Sequence, residues 1–152
     1  MRTATTRGWE EAGRARAPGL AGIAPAWGIT VVRLMMGIIL IEAGLSKWVH
    51  GIAGTVGYFG QIGIPAPGVL GPWVGAQELI GGVLVLLGFK VRWVAILFVV
   101  EFLVTTFYVK VFNPKIGFEA ARPDLMLLAA ALMLIVAGAG KLALDEWLAR
   151  VP

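Results

Sequence analysis

Cysteine is absent from the chain, and histidine occurs once, at His50. The first absence excludes disulfides, thiol redox chemistry, iron–sulfur clusters and cysteine zinc sites built from this chain alone. The second leaves no self-contained haem or copper ligand set, and no metal site is expected. Charge is scarce too: 14% of residues are charged, where soluble domains carry about 25%. No Ser-His-Asp set and no nucleotide motif is recognisable, and Gly138, Gly140 and Lys141 are too sparse for a phosphate loop. What fills the chain is apolar: 59% hydrophobic residues, with a mean hydropathy of +0.85. The net charge of +4 sits in flanks and loops, which reads as membrane topology rather than nucleic-acid binding. The 152 residues suit one all-α integral membrane domain.

Residues 1–26 are polar and small, with Arg2, Arg7, Arg14 and Arg16 beside Glu10 and Glu11, and read as a partly disordered tail rather than a signal peptide. Residues 27–147 then form a four-transmembrane-helix bundle with spans at 27–49, 69–88, 91–109 and 124–140, the last continuing toward Leu144. Each apolar run is of the order needed to cross a hydrocarbon core about 30 Å thick at 1.5 Å per residue. Only Phe89 and Lys90 separate the second and third spans, so these form a tight hairpin. Between the first two spans, GIAGTVGYFGQIGIPAPG predicts a short interfacial helix; no helix can run through Pro65-Ala66-Pro67. Residues 141–152 predict an amphipathic, interfacial C-terminal helix with Asp145, Glu146 and Arg150 on its polar face. Trp27, Trp48, Trp73 and Trp93 lie near span ends, as a membrane belt requires. Eight Lys and Arg flank one face of the bundle against four on the other, which places both termini in the cytoplasm.

Glu42, Glu78 and Glu101 lie inside three different spans, seven, nine and eight residues from the outer ends. That is roughly 10–14 Å deep in each case. An acid near the centre of a span costs about 2.5–3.5 kcal/mol on insertion scales, so such residues face the bundle interior, are paired, or are functional. The expectation is an outward-opening polar pocket or proton relay; the competing reading is hydrogen bonding that holds the helices together. Gly71, Gly75, Glu78 and Gly82 share a helix face, which turns Glu78 inward. Glu101, Thr105 and Tyr108 form a polar stripe on the third span. Arg33 and Lys47 are the candidate supporting charges. Arg33 either snorkels or binds backbone carbonyls of a neighbouring helix, while Lys47 stands at the boundary, where an interfacial anchor is the ordinary role. Glu42 lies about 180° from Arg33 around the helix and faces either the interior or a partner subunit. His50 reads as a solvated boundary residue.

The segments RLMMGIILIEAGLSKW (Arg33–Trp48), FGQIGIPAPG (Phe59–Gly68), QELIGGVLVLLGFKVRW (Gln77–Trp93) and DLMLLAAALMLIVAGAGKLALD (Asp124–Asp145) resemble, in this order and spacing, the DoxX family of small four-helix membrane proteins. That family is related to the membrane subunit of thiosulfate:quinone oxidoreductase. Its pattern lands on Arg33, Gly44, Lys47, Pro65, Glu78, Gly81, Gly82, Gly138, Gly140 and Asp145. Glu42 and the Arg122-Pro123-Asp124 entry to the fourth span depart from it. The resemblance implies a plasma-membrane protein with redox partners and quinone, and secures no catalytic residue.

Three functions are open at this point. One is a membrane subunit of a quinone-linked redox complex, anchoring partners and contributing a quinone or proton site near Glu78 and Glu101. An apolar slot with carboxyls that can pass protons suits that chemistry. Electrons would come from another subunit, since the chain holds no complete catalytic set. The second is a non-catalytic accessory or assembly subunit, and the third a small proton-coupled transporter. The expected partners are the lipid bilayer with other membrane or redox subunits, or further copies of the chain.

Overall fold

The computed structural model describes residues 25–111 and 118–149. The expected N-terminal tail therefore lies outside the described residues up to position 24, and Pro25 already opens the first helix. The elements are α1 (Pro25–Val49), α2 (Ile52–Gln61), α3 (Pro67–Leu87), α4 (Val91–Leu103), α5 (Arg122–Ala137) and α6 (Leu144–Leu148). A π-helical stretch, Val104–Val111, prolongs α4, and a 3-10 turn, Phe118–Ala121, leads into α5. Four helices among the described residues are long and apolar enough to cross a membrane: Pro25–Val49, Pro67–Leu87, Val91–Val111 and Phe118–Ala137. Among the described residues there is no strand. The all-α four-span architecture holds.

Two kinds of contact build the bundle. Helices α1 and α3 approach backbone to backbone, because glycines face leucines at both contacts. A Cβ on Gly44 would lie 2.5 Å from the Leu79 nitrogen, and one on Gly37 2.9 Å from that of Leu86. Small residues at such spacing permit close helix approach where no water drives association. Helices α4 and α5 instead interlock larger side chains. Phe98, Phe102, Ala95, Leu128, Ala131 and Leu134 join Met36 and Leu40 of α1 in the core, with the Phe98 and Phe102 rings stacked 5.9 Å apart. The outer surface is apolar: Val136 is 82% and Met126 77% exposed. Such a surface is stable against acyl chains and not against water.

The two ends of the bundle differ. At the loop end, α2 lies between α1 and α3, and Ala66, in left-handed conformation, caps α3 at Pro67. At the hairpin end, α3 and α4 turn through Gly88 and Lys90, both at positive φ. The fourth span departs from expectation here. It stops at Ala137 instead of running to Gly140, since Gly138, Gly140 and Leu142 all adopt positive φ and break the helix. The expected C-terminal helix shortens accordingly to Leu144–Leu148, with residues 150–152 outside the described set.

Candidate functional site

Arg33 is 1% exposed. Its guanidinium neither snorkels nor supports the acids; it donates to the carbonyls of Ala139 and Leu142, the latter at 3.0 Å. Those carbonyls are free because the chain leaves helical geometry after Ala137. Asp145, read from the sequence as part of a polar outer face, turns inward. Its carboxylate accepts from the backbone N–H groups of Lys90 at 2.8 Å and Val91 at 3.2 Å, capping α4. Thr30 Oγ1 accepts from the Lys141 backbone N–H at 2.7 Å, and a Cβ on Gly140 would meet that oxygen at 2.7 Å. The hairpin end is thus closed by side chains spent on backbone groups.

The loop end is built otherwise. A cavity of about 300 Å³ lies between α1, α3, α4 and α5, and residues of α2 and its following loop contribute to its lining. Lys47 contacts Glu78 directly as an ion pair within it. Lys47 is therefore not an interfacial anchor. The close α1–α3 contact sets it beside Glu78, one turn beyond Gly44. Glu101 lines the same cavity, with its carboxyl close enough to interact with that of Glu78. Gln77 Nε2 donates to Glu101 at 2.9 Å across α3 and α4. Lys110 and Asp124 also line it, paired at 2.8 Å. Counted at full ionisation, the walls carry three acids against two ammonium groups. Among the described residues Glu101 is the cavity acid without a cation of its own.

Of the expected pocket residues, Glu78, Glu101 and Thr105 converge with Lys47 on this cavity. Glu42 does not. It is exposed on α1 outside the bundle, as its position opposite buried Arg33 requires. Tyr108 is absent from the cavity lining as well: it is exposed, and its hydroxyl reaches only the Gly63 carbonyl, at 3.5 Å. The π stretch is the reason. Its wider turn moves the inward position on from residue 108, so Val109 and Lys110 take the inner face. His50 stays exposed, with Nδ1 at 3.0 Å from the Ser46 carbonyl oxygen. Sequence reasoning missed Lys110, Asp124 and Gln77. For the first two there was a signal: they stand at the facing ends of consecutive antiparallel spans, which puts them at one level.

Among the described residues no group of His, Cys, Asp and Glu could hold a metal ion. The cavity offers instead a proton path, or hydrogen bonds to one ring-sized ligand: its volume lies at the lower end of small-molecule sites, and its walls mix Leu40, Val74 and Phe102 with the charged set.

Residues 28–111 match the family model described as DoxX. The chain is 38% identical over 120 residues to the Bacillus subtilis protein named "Putative oxidoreductase CatD", covering 79% of this chain and 86% of that one. It is 32% identical over 123 residues to "Inner membrane protein YqjF" of Escherichia coli, covering 80% of this chain and 92% of the relative. It is 29% identical over 133 residues to "Uncharacterized membrane protein Rv3486" of Mycobacterium tuberculosis, covering 80% and 82%. No solved structure gives a match. Six of the ten residues that carry the resemblance fall into two physical groups, Arg33 with Gly138, Gly140 and Asp145 at the hairpin end, and Lys47 with Glu78 at the cavity. With the matches to the family model and to these relatives, they establish that the chain belongs to the DoxX family of membrane proteins.

Proposed function

We propose that this chain is the membrane subunit of a quinone-linked oxidoreductase, and that the loop-end cavity receives the quinone ring. The observation that carries the reading is one cavity holding the Lys47–Glu78 pair and Glu101 among apolar walls. Reducing a quinone to a quinol takes two electrons and two protons. The electrons come from a partner subunit, since nothing here carries them. The protons pass through Glu101 and Glu78, while Lys47 steadies charge developing on a ring oxygen. The name of the Bacillus subtilis relative lends support, and that of the Escherichia coli relative supports placement in the inner, plasma membrane. The Lys and Arg count supports cytoplasmic termini, which sets the cavity toward the outer face.

Extraction in mild detergent followed by mass spectrometry of copurifying chains tests the complex. Glu101→Gln, which keeps volume and hydrogen bonding but removes ionisation, then tests the chemistry. Quinone turnover should fall with the complex intact. Unchanged turnover sinks the catalytic reading and leaves the second, an assembly subunit. One observation favours that second reading: Glu42 stands exposed on a bilayer-facing helix, where a carboxyl calls for a partner helix.

A further inference from the structure

The cavity has two kinds of boundary. At the loop end Phe59, 9% exposed, and Ile64 line it as an apolar roof. Between α3 and α4 the boundary is thinner. Two apolar clefts follow the outer surface where these helices part, of about 220 Å³ and 320 Å³. They share Trp73, Gln77 and Leu97 with each other. The second also shares Glu101 and Thr105 with the inner cavity. The three voids lie side by side with common walls, between the bilayer-facing surface, where Trp73 is 60% exposed, and Glu101. The 2.9 Å hydrogen bond from Gln77 to Glu101 joins α3 to α4 there.

We infer that the α3–α4 cleft is a lateral portal, through which an amphiphile with a hydrogen-bonding head and a long apolar tail enters from the bilayer. The Gln77–Glu101 hydrogen bond is its latch. The identity of the head as a quinone rests on the reading above; the path does not. A water-soluble ligand would have no use for an entrance among acyl chains, and a head without a tail would leave the outer clefts unfilled. Leu70 and Leu84 mark the ends of the clefts along α3. Gln77, which holds Glu101, lies seven residues short of Leu84, about 10 Å along α3 at 1.5 Å per residue. A head at Glu101 therefore leaves that length of cleft for the first part of its tail. Opening the latch exchanges the Gln77 amide for the ligand's head: a hydroxyl there donates to the carboxylate, and a carbonyl there accepts from the protonated carboxyl, so Glu101 keeps a partner throughout.

Carbodiimide labelling of the purified full chain in lipid nanodiscs, read by peptide mass spectrometry, separates the two routes. A carboxyl adds to the reagent, its oxygen bonding the central carbon and its proton passing to nitrogen, and the adduct rearranges to a stable N-acylurea. Membrane-soluble dicyclohexylcarbodiimide should label Glu101, and a water-soluble cationic carbodiimide should not. Ala76→Phe, which fills the cleft without touching the charged set, should slow labelling of Glu101 about tenfold or more. Labelling of Glu42, exposed on α1, should continue at its former rate. Leu97→Trp serves if the first variant fails to fold. Labelling of Glu42 without Glu101, faster labelling of Glu101 by the water-soluble reagent, or indifference to both cleft variants would each overturn the portal. Protection of Glu101 by a long-tailed quinone tests the other claim: no protection alongside intact portal behaviour removes the quinone and keeps the route.

Discussion

The two ends of the bundle use charge in opposite ways. At the hairpin end, Arg33 and Asp145 are both committed to backbone groups: carbonyls after Ala137 for one, N–H groups at the start of α4 for the other. Backbone partners cannot gain or lose protons, so this end is a fastening. At the loop end the same kinds of side chain face one another across a cavity, as Lys47 with Glu78 and Lys110 with Asp124, leaving Glu101 with an amide. Side-chain partners can exchange protons and change hands, so this end can do chemistry. Substitutions of similar size should therefore separate stability from activity.

Arg33→Ala should show the largest loss of stability, about 3 kcal/mol, because two partly buried carbonyls lose their charged donor at once and the core loses a fully buried side chain. A melting curve in detergent would record it. Quinone turnover per folded molecule should stay within about twofold, and a much larger fall would break the division between the ends. Glu78→Ala comes next, at about 2 kcal/mol, because it strands the Lys47 ammonium in the cavity. It should also abolish turnover. Combining it with Lys47→Met should recover stability without recovering activity, a coupling that a double-mutant cycle measures directly. Asp145→Ala removes a cap, and about 1 kcal/mol of stability is expected to go with it. Turnover should again be spared. The smallest effect belongs to Tyr108→Phe, below about 0.5 kcal/mol, since its 3.5 Å contact lies at the limit of hydrogen bonding. If Tyr108→Phe impaired turnover, the exclusion of that residue from the cavity would be wrong.

Most of the architecture was legible in the sequence, because apolar run length and the Gly88–Lys90 turn speak directly to span number and the hairpin. The depth of Glu78 and Glu101 was legible by counting, and the glycine face turned Glu78 inward. Glu42 lies at a similar depth but at the wrong azimuth. Depth comes from counting along a helix, whereas azimuth is settled only once buried Arg33 shows which side is inside. Tyr108 was misplaced because an α-helical period was carried through residues that adopt a π turn, and no proline or glycine marks that change. The end of α5 was legible but overrun: Gly138 and Gly140 announce positive φ there, and the apolar run was followed past them. Lys47 looked like a boundary charge until the glycine-mediated approach of α1 to α3 brought it to Glu78.

Arg33 also imposes an order on biosynthesis. It lies in the first of the described helices, while the carbonyls that receive its guanidinium come 106 and 109 residues later. A nascent chain must therefore hold a cation in or near the membrane while more than a hundred further residues are made, and it is released from that burden only when Ala139 and Leu142 arrive. Premature termination just before Ala139 would leave all four spans made and α1 still packed on α3, but with the Arg33 guanidinium stripped of both its carbonyl partners.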